Sequence, residues 1–219
     1  MAKKVAVVLS GCGVYDGAEI HEAVITLLAL DRAGAEIVCA APNVEQAHVV
    51  NHLTGDAAAG EGRNVLVEAA RIARGAIVDL AKLDAKSVDA AIFPGGYGAA
   101  KNLCTWAFKQ DGCEVNAEVA RFVREMHAAR KPLGFECIAP VVAAKLLGPE
   151  HPQVTIGTDA ATAASVEKMG GKHVACQVRE IAVDQDRRIV TTPAYMLAGR
   201  ISEAADGIEK LVKAVLEFC

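Results

Sequence analysis

Val5-Ala6-Val7-Val8-Leu9-Ser10-Gly11-Cys12-Gly13-Val14-Tyr15-Asp16-Gly17 decides the fold class. Its first five residues are a continuous apolar run, and glycines end it at once. That pattern reads as a strand buried on both faces, the kind found inside parallel sheets. Asp16 stands where it would cap a following helix, with Glu19 three residues on to close a capping box. Ile20, Ala23, Val24, Leu27 and Leu28 then recur at helical spacing and predict one inward stripe, ended by Gly34. Glu36–Ala41 is the next strand, stopped by Pro42.

The same alternation continues outward along the chain. Residues 43–63 are polar, with Gly55, Gly60 and Gly62, and read as a long surface loop. A short helix follows over 64–74 and a short strand or loop over 77–80. Asp89–Phe93 is a buried strand closed by Pro94-Gly95-Gly96. The region 116–130 is a helix with Val119, Phe122, Val123 and Met126 inward. A strand over 132–135 runs straight into a helix over 138–147. A helix over 162–169 ends at Gly170-Gly171, and Asp184-Gln185-Asp186-Arg187 turns a hairpin. The last helix is capped near Ser202, with Ile208, Leu211, Val212, Val215 and Leu216 inward. Strands alternating with helices throughout predict an α/β fold with a mostly parallel sheet, in a single domain over 1–219. Ligands in such sheets sit beyond the carboxyl ends of the strands. The loops to inspect are therefore 10–17, 94–101, 136–140 and 192–195.

Composition narrows the function classes. The 219 residues are 53% hydrophobic and only 4% aromatic, so the core is aliphatic. Lys+Arg 23 against Asp+Glu 27 gives a net charge of -4, which argues against a nucleic-acid-binding face. No stretch approaches the roughly 20 apolar residues of a membrane span. The leading apolar run is also too short for a signal peptide, although Leu9-Ser10-Gly11-Cys12 mimics a lipoprotein box. Seven cysteines with no C-x-x-C spacing fit free thiols in a reducing cytoplasm, not a disulfide or zinc framework. The histidines show no paired-ligand spacing, and no metal is expected.

Three segments carry chemistry. Gly11-x-Gly13-x-x-x-Gly17 is not a dinucleotide fingerprint, because Asp16 stands where the third glycine belongs and would repel a pyrophosphate. Gly134-Phe135-Glu136-Cys137-Ile138-Ala139-Pro140 places one cysteine where a strand ends and a helix begins, as in a nucleophile elbow. A thiol there gains from unpaired helix N–H groups, and a buried packing cysteine is the alternative reading. Pro94-Gly95-Gly96 offers bare N–H groups for an oxyanion, or is a simple turn. Glu22 lies off the apolar stripe and, taken alone, reads as a solvated carboxylate.

Together these segments resemble the ThiJ/PfpI superfamily on the class I glutamine amidotransferase-like fold. Within it they are similar to the ElbB group, also called sigma cross-reacting protein or isoprenoid-biosynthesis glyoxalase. The residues that carry the likeness are 10–17, Asn51-His52-Leu53-Thr54-Gly55, Pro94-Gly95-Gly96, Lys101-Asn102-Leu103, Cys137-Ile138-Ala139-Pro140 and Thr191-Thr192-Pro193-Ala194-Tyr195-Met196. The resemblance implies a flavodoxin-like three-layer sandwich with helices on both faces of the sheet. It implies Cys137 as nucleophile, Glu22 as its hydrogen-bonded partner, and the Gly96 and Ile138 N–H groups as oxyanion donors. It further implies cofactor-free, glutathione-independent glyoxalase activity on a small aldehyde substrate, methylglyoxal or glyoxal, in a homodimer.

Cys12, Asp159 and Thr192 are expected as neighbours of the site. Gly157-Thr158-Asp159 occupies the region where many superfamily members carry a histidine. Low turnover is therefore expected, and an amidohydrolase would need a base such as His173 brought in by the fold. The competing reading is a non-catalytic redox-sensing or partner-binding protein linked to isoprenoid biosynthesis. Glu136 would raise the thiol pKa if its carboxylate approached the sulfur.

Overall fold

The computed structural model describes residues 2–219. Five parallel crossovers and one hairpin build the main sheet. Its strands are β1 (Lys4–Val8), β2 (Glu36–Ala41), β3 (Ile77–Asp79), β4 (Ala90–Phe93) and β5 (Leu133–Glu136), followed by β8 (Ala182–Asp184) and β9 (Ile189–Thr192). Their order is β3-β2-β1-β4-β5-β9-β8, and only the β8–β9 pair is antiparallel. Two further strands, β6 (Gln153–Val154) and β7 (Lys172–His173), pair with each other alone. They are too short to show a period in sequence.

The helices are α1 (Ile20–Arg32), α2 (Val65–Ile72), α3 (Tyr97–Lys101), α4 (Trp106–Lys109), α5 (Ala117–Ala128), α6 (Pro140–Leu147), α7 (Ala160–Lys168) and α8 (Ile201–Glu217). Right-handed crossovers put α1 and α2 on one face of the sheet, where α8 joins them, and α5 and α6 on the other. The result is the flavodoxin-like sandwich. The order in which strands are added reverses between β1 and β4, so the crevice beyond their carboxyl ends is the topological switch point.

The core is aliphatic, as composition requires. Val5 through Leu9 are fully buried, and aromatic rings enter the core as Phe122 and as Phe93 on Phe135, stacked at 4.8 Å across β4 and β5. Val119, Phe122, Val123 and Met126 of α5 face inward as expected.

Helix α1 departs from the expected reading. Its N-cap is Glu19, whose carboxylate accepts the Glu22 N–H at 2.7 Å. Asp16 instead accepts the Val50 N–H at 2.8 Å and ties the long loop over 43–63 to the glycine loop. Ala23 is buried, but Ile20, Val24 and Leu28 are exposed, while Glu22, Ile25, Thr26 and Leu30 are buried. The helix is rotated because one face meets α8 and the sheet, and another meets the strand ends. Main-chain N–H groups wait there for Glu22, and the Glu136 carboxyl for Thr26.

Two smaller differences have similar causes. The final helix has Arg200 rather than Ser202 at its N-cap, and Leu216 is only partly buried. Helix α6 starts at Pro140, not 138, because Cys137 has φ +57° and interrupts the helical turn.

Asn102 explains one of the conspicuous motifs. Its amide Nδ2 donates to the carbonyls of Ser10 (2.9 Å) and Asp16 (2.8 Å), and its Oδ1 accepts the Ala47 N–H. One side chain thus pins the glycine loop and the long loop together. His52 does related work, accepting the Tyr15 N–H at 3.2 Å.

Candidate active site

The elbow begins where β5 stops. Cys137 donates its N–H to the Thr192 carbonyl at 2.9 Å, so the ladder with β9 runs up to the cysteine. The backbone then turns through the left-handed region, and Ala139 N–H closes back on the Glu136 carbonyl. A non-glycine residue held there stores about 1–3 kcal/mol of strain. The return is position: the thiol is lifted off the sheet at the start of α6.

Glu22 reaches the same point from α1. Its Oε2 accepts the Gly95 N–H at 2.9 Å, its Oε1 accepts the Tyr195 N–H at 3.0 Å, and its carboxyl lies beside the Cys137 thiol, both groups facing Gly95. Both oxygens are therefore fixed by main-chain donors from different loops. Gly95 has to be glycine for this approach. A Cβ there would collide with the Cys137 side chain and lie 2.7 Å from Glu22 Oε2.

Burial governs the ionisation of this cluster. Desolvation lifts the Glu22 pKa to about 8, assisted by the charge of Glu19 and opposed by the Tyr195, Cys137 and Gly95 contacts. Glu22 thus holds a proton at neutral pH. Burial also pushes the Cys137 thiol up, and an ionised Glu22 pushes it further. The neighbouring Gly96 and Ile138 N–H groups pull the other way, favouring the thiolate. Protonation of Glu22 removes its repulsion, so thiol and carboxyl behave as one pair.

Glu136 is turned away from the sulfur. Its Oε1 accepts the Thr26 hydroxyl at 2.6 Å, while Oε2 is buried without a partner. Burial, then the charge of Glu22, raises its pKa well above the ordinary glutamate value. Sequence reasoning missed Thr26, which looked like an ordinary helix residue.

The thiol opens into a cavity of about 340 Å³ whose walls include Gly96, Tyr97, Trp106, Ile138 and Met196. Trp106 and Met196 escaped sequence reasoning. Trp106 sits on α4, a helix too short to announce itself. Glu19 and Thr162 also reach the wall.

The three expected neighbours lie elsewhere. Cys12 does not line the cavity; its surrounding charges are Glu68, Arg71 and Asp16, and burial raises its pKa. Asp159 is exposed and caps α7 by accepting the Thr162 N–H at 2.8 Å, leaving Thr162 as the wall residue. Thr192 sends its hydroxyl to the Glu180 carbonyl at 2.9 Å and contributes to the elbow only through its own carbonyl.

Among the described residues no histidine lines the cavity. His173 accepts the Ile156 N–H at 3.4 Å in the β7 region, and His21 is exposed and bonded to the Tyr195 hydroxyl at 2.8 Å. The base that an amidohydrolase would need is absent from the cavity. Among the described residues no group of three or more His, Cys, Asp or Glu is placed to hold a metal ion. No helix in them is long and apolar enough to cross a membrane.

No family model matches the chain. It is 51% identical to the human glutamine amidotransferase-like class 1 domain-containing protein 3, mitochondrial, over 99% of this chain and 84% of that one. It is also 51% identical to the rat ES1 protein homolog, mitochondrial, over 98% and 84%. A crystal structure of an isoprenoid biosynthesis protein with amidotransferase-like domain from Ehrlichia chaffeensis superposes with TM-score 0.91, at 38% identity, over 99% of this chain and 100% of that one. Drosophila DJ-1beta, at 18% identity and TM-score 0.57 over 100% and 96%, shares the fold. The expected cytoplasmic location does not stand, because these human and rat relatives are named as mitochondrial proteins. Free thiols report a reducing compartment without saying which one. On the strength of these matches the chain belongs to the ES1 family of glutamine amidotransferase-like class 1 domain proteins.

Proposed function

We propose that the protein is a cofactor-free glyoxalase that converts small 2-oxoaldehydes such as methylglyoxal and glyoxal to 2-hydroxy acids, at low turnover. The observation that carries this reading is the buried Glu22–Cys137 pair beside Gly95, with Gly96 and Ile138 next to the thiol on the same cavity wall.

Ionised Glu22 takes the thiol proton as the Cys137 sulfur attacks the aldehyde carbon and passes it to the aldehyde oxygen, giving a hemithioacetal and restoring the carboxylate. The carboxylate then removes the proton from that carbon to give an enediolate, and after exchange with water the Glu22 carboxyl protonates the neighbouring carbon. The Gly96 and Ile138 N–H groups hold the oxygen charge as it develops. The product of the transfer is a thioester on Cys137. Water breaks its C–S bond, releasing the hydroxy acid and the thiol. The sum is oxoaldehyde plus water to hydroxy acid, with no net change of oxidation state. A group that must donate and then accept a proton works best near neutral pKa, and a Glu22 value of about 8 suits both tasks.

Burial of Cys137 and its raised pKa weigh against the redox-sensor alternative, because sensor thiols are exposed and acidic. The homodimer belongs to the same proposal. Ile20, Val24 and Leu28 form an exposed apolar stripe along α1, the kind of surface that a two-fold axis covers with its own copy.

Incubation with methylglyoxal in glutathione-free buffer should yield lactate, carrying deuterium at C2 when the solvent is D2O. Absence of lactate would rule out the reaction. Lactate without deuterium would overturn exchange of the Glu22 proton with water during the transfer.

A further inference from the structure

The cavity is much larger than the substrates just named require. At about 340 Å³ it falls among sites for far bulkier ligands, about 300–1,000 Å³. A three-carbon aldehyde bound at Cys137 leaves most of that space to water.

The distribution of polar groups is one-sided. The Gly96 and Ile138 N–H groups and the Glu22 carboxyl converge on the sulfur. Val14, Tyr97, Ala100, Trp106 and Met196 make the rest of the wall mainly apolar, with Thr162 and Tyr195 adding hydroxyl-bearing side chains. The Trp106 indole is locked in place, its Nε1 donating to Ser165 Oγ at 2.9 Å, which leaves hydrocarbon and ring surface to face an occupant.

Charge selects as well. No Lys, Arg or His is on the wall. The nearest cation in sequence, Lys101, is engaged elsewhere, donating to the Tyr15 carbonyl at 2.9 Å and lying 5.1 Å from the Tyr97 ring centre. The acidic wall residue is Glu19, and among the described residues no Lys, Arg or His pairs with it. An anionic ligand would meet repulsion with nothing to offset it.

We infer that the preferred substrates are uncharged 2-oxoaldehydes bearing a bulky apolar group, aromatic or branched, and that anionic aldehydes are excluded. The inference rests on the glyoxalase reading of the same site and adds the substrate class. The reaction is unchanged: R–CO–CHO and water give R–CH(OH)–COOH, with the apolar R group seated against Trp106 and Met196.

The experiment has two arms. The chain contains a single tryptophan, Trp106, so its emission reports the cavity directly. Titration with cyclohexyl methyl ketone, which has no aldehyde to react, should give a saturable change at concentrations about tenfold or more below acetone or cyclohexanecarboxylate. Equal response to acetone, or to the carboxylate, would overturn the inference. In the second arm, phenylglyoxal should exceed methylglyoxal in kcat/KM by about tenfold or more, and Met196→Ala should shrink that ratio. Turnover with methylglyoxal preferred would overturn the substrate class and leave the glyoxalase reading intact. Ketone binding without turnover of either aldehyde would overturn the glyoxalase reading and keep the site apolar.

Discussion

Glu22 keeps its proton at neutral pH because the fold gives its charge no water, and it keeps its place because two main-chain N–H groups hold its oxygens. Replacing it by Gln preserves shape and removes the transferable proton. Glu22→Gln should lower kcat for lactate formation by about 10²–10⁴ while the cavity still binds apolar ketones. Gly95 sets the other limit. Gly95→Ala puts a methyl group against Cys137 and Glu22 Oε2, so both must shift. Thermal unfolding of that variant should show a loss of about 1–3 kcal/mol, together with loss of activity. The carboxyl and thiol were legible in sequence only as candidates. Periodicity marks apolar stripes, and a buried glutamate breaks the pattern it relies on.

At the scale of elements, α1 does two jobs with two faces. Its inner polar line, Glu19, Glu22 and Thr26, meets the strand ends, and Thr26 gives its hydroxyl to Glu136. Thr26→Val would leave both Glu136 oxygens buried without a hydrogen bond. Denaturant unfolding should then show a cost of about 1–3 kcal/mol. Its outer apolar line, Ile20, Val24 and Leu28, is expected to seat a second copy. Val24→Asp should shift the protein from dimer to monomer in sedimentation, and a dimer that persists would remove this face from consideration. The long elements of the sheet and α5 were plain in the sequence, because continuous apolar runs and 3.6-residue spacing are strong signals. Helices α3 and α4 and strands β6 and β7 were not, since none is long enough to complete a pattern. The rotation of α1 was hidden for a different reason: its exposed stripe is as apolar as its buried one.

Across the whole molecule, buried carboxyls tie stability to pH. Glu22 and Glu136 both have raised folded-state pKa values, so the native protein holds protons that the unfolded chain has released. Their contribution is fully present below the ordinary glutamate value of 4.5 and is lost as pH rises through the folded value, about 8 for Glu22. Unfolding free energy should therefore decline between those limits, and Glu136→Gln should flatten the decline when urea titrations are compared across pH. The sheet delivers this acid cluster to one place. Loops after β1, β4 and β5 meet at the switch point, with Gly95, Gly96 and Cys137 arriving there from separate strands. The most direct measurement is kcat/KM for methylglyoxal to lactate in the wild type, Cys137→Ala and Glu22→Gln, without glutathione. Turnover in the wild type that vanishes in Cys137→Ala and falls at least a hundredfold in Glu22→Gln is the expected result. Undiminished lactate formation by Cys137→Ala would contradict it.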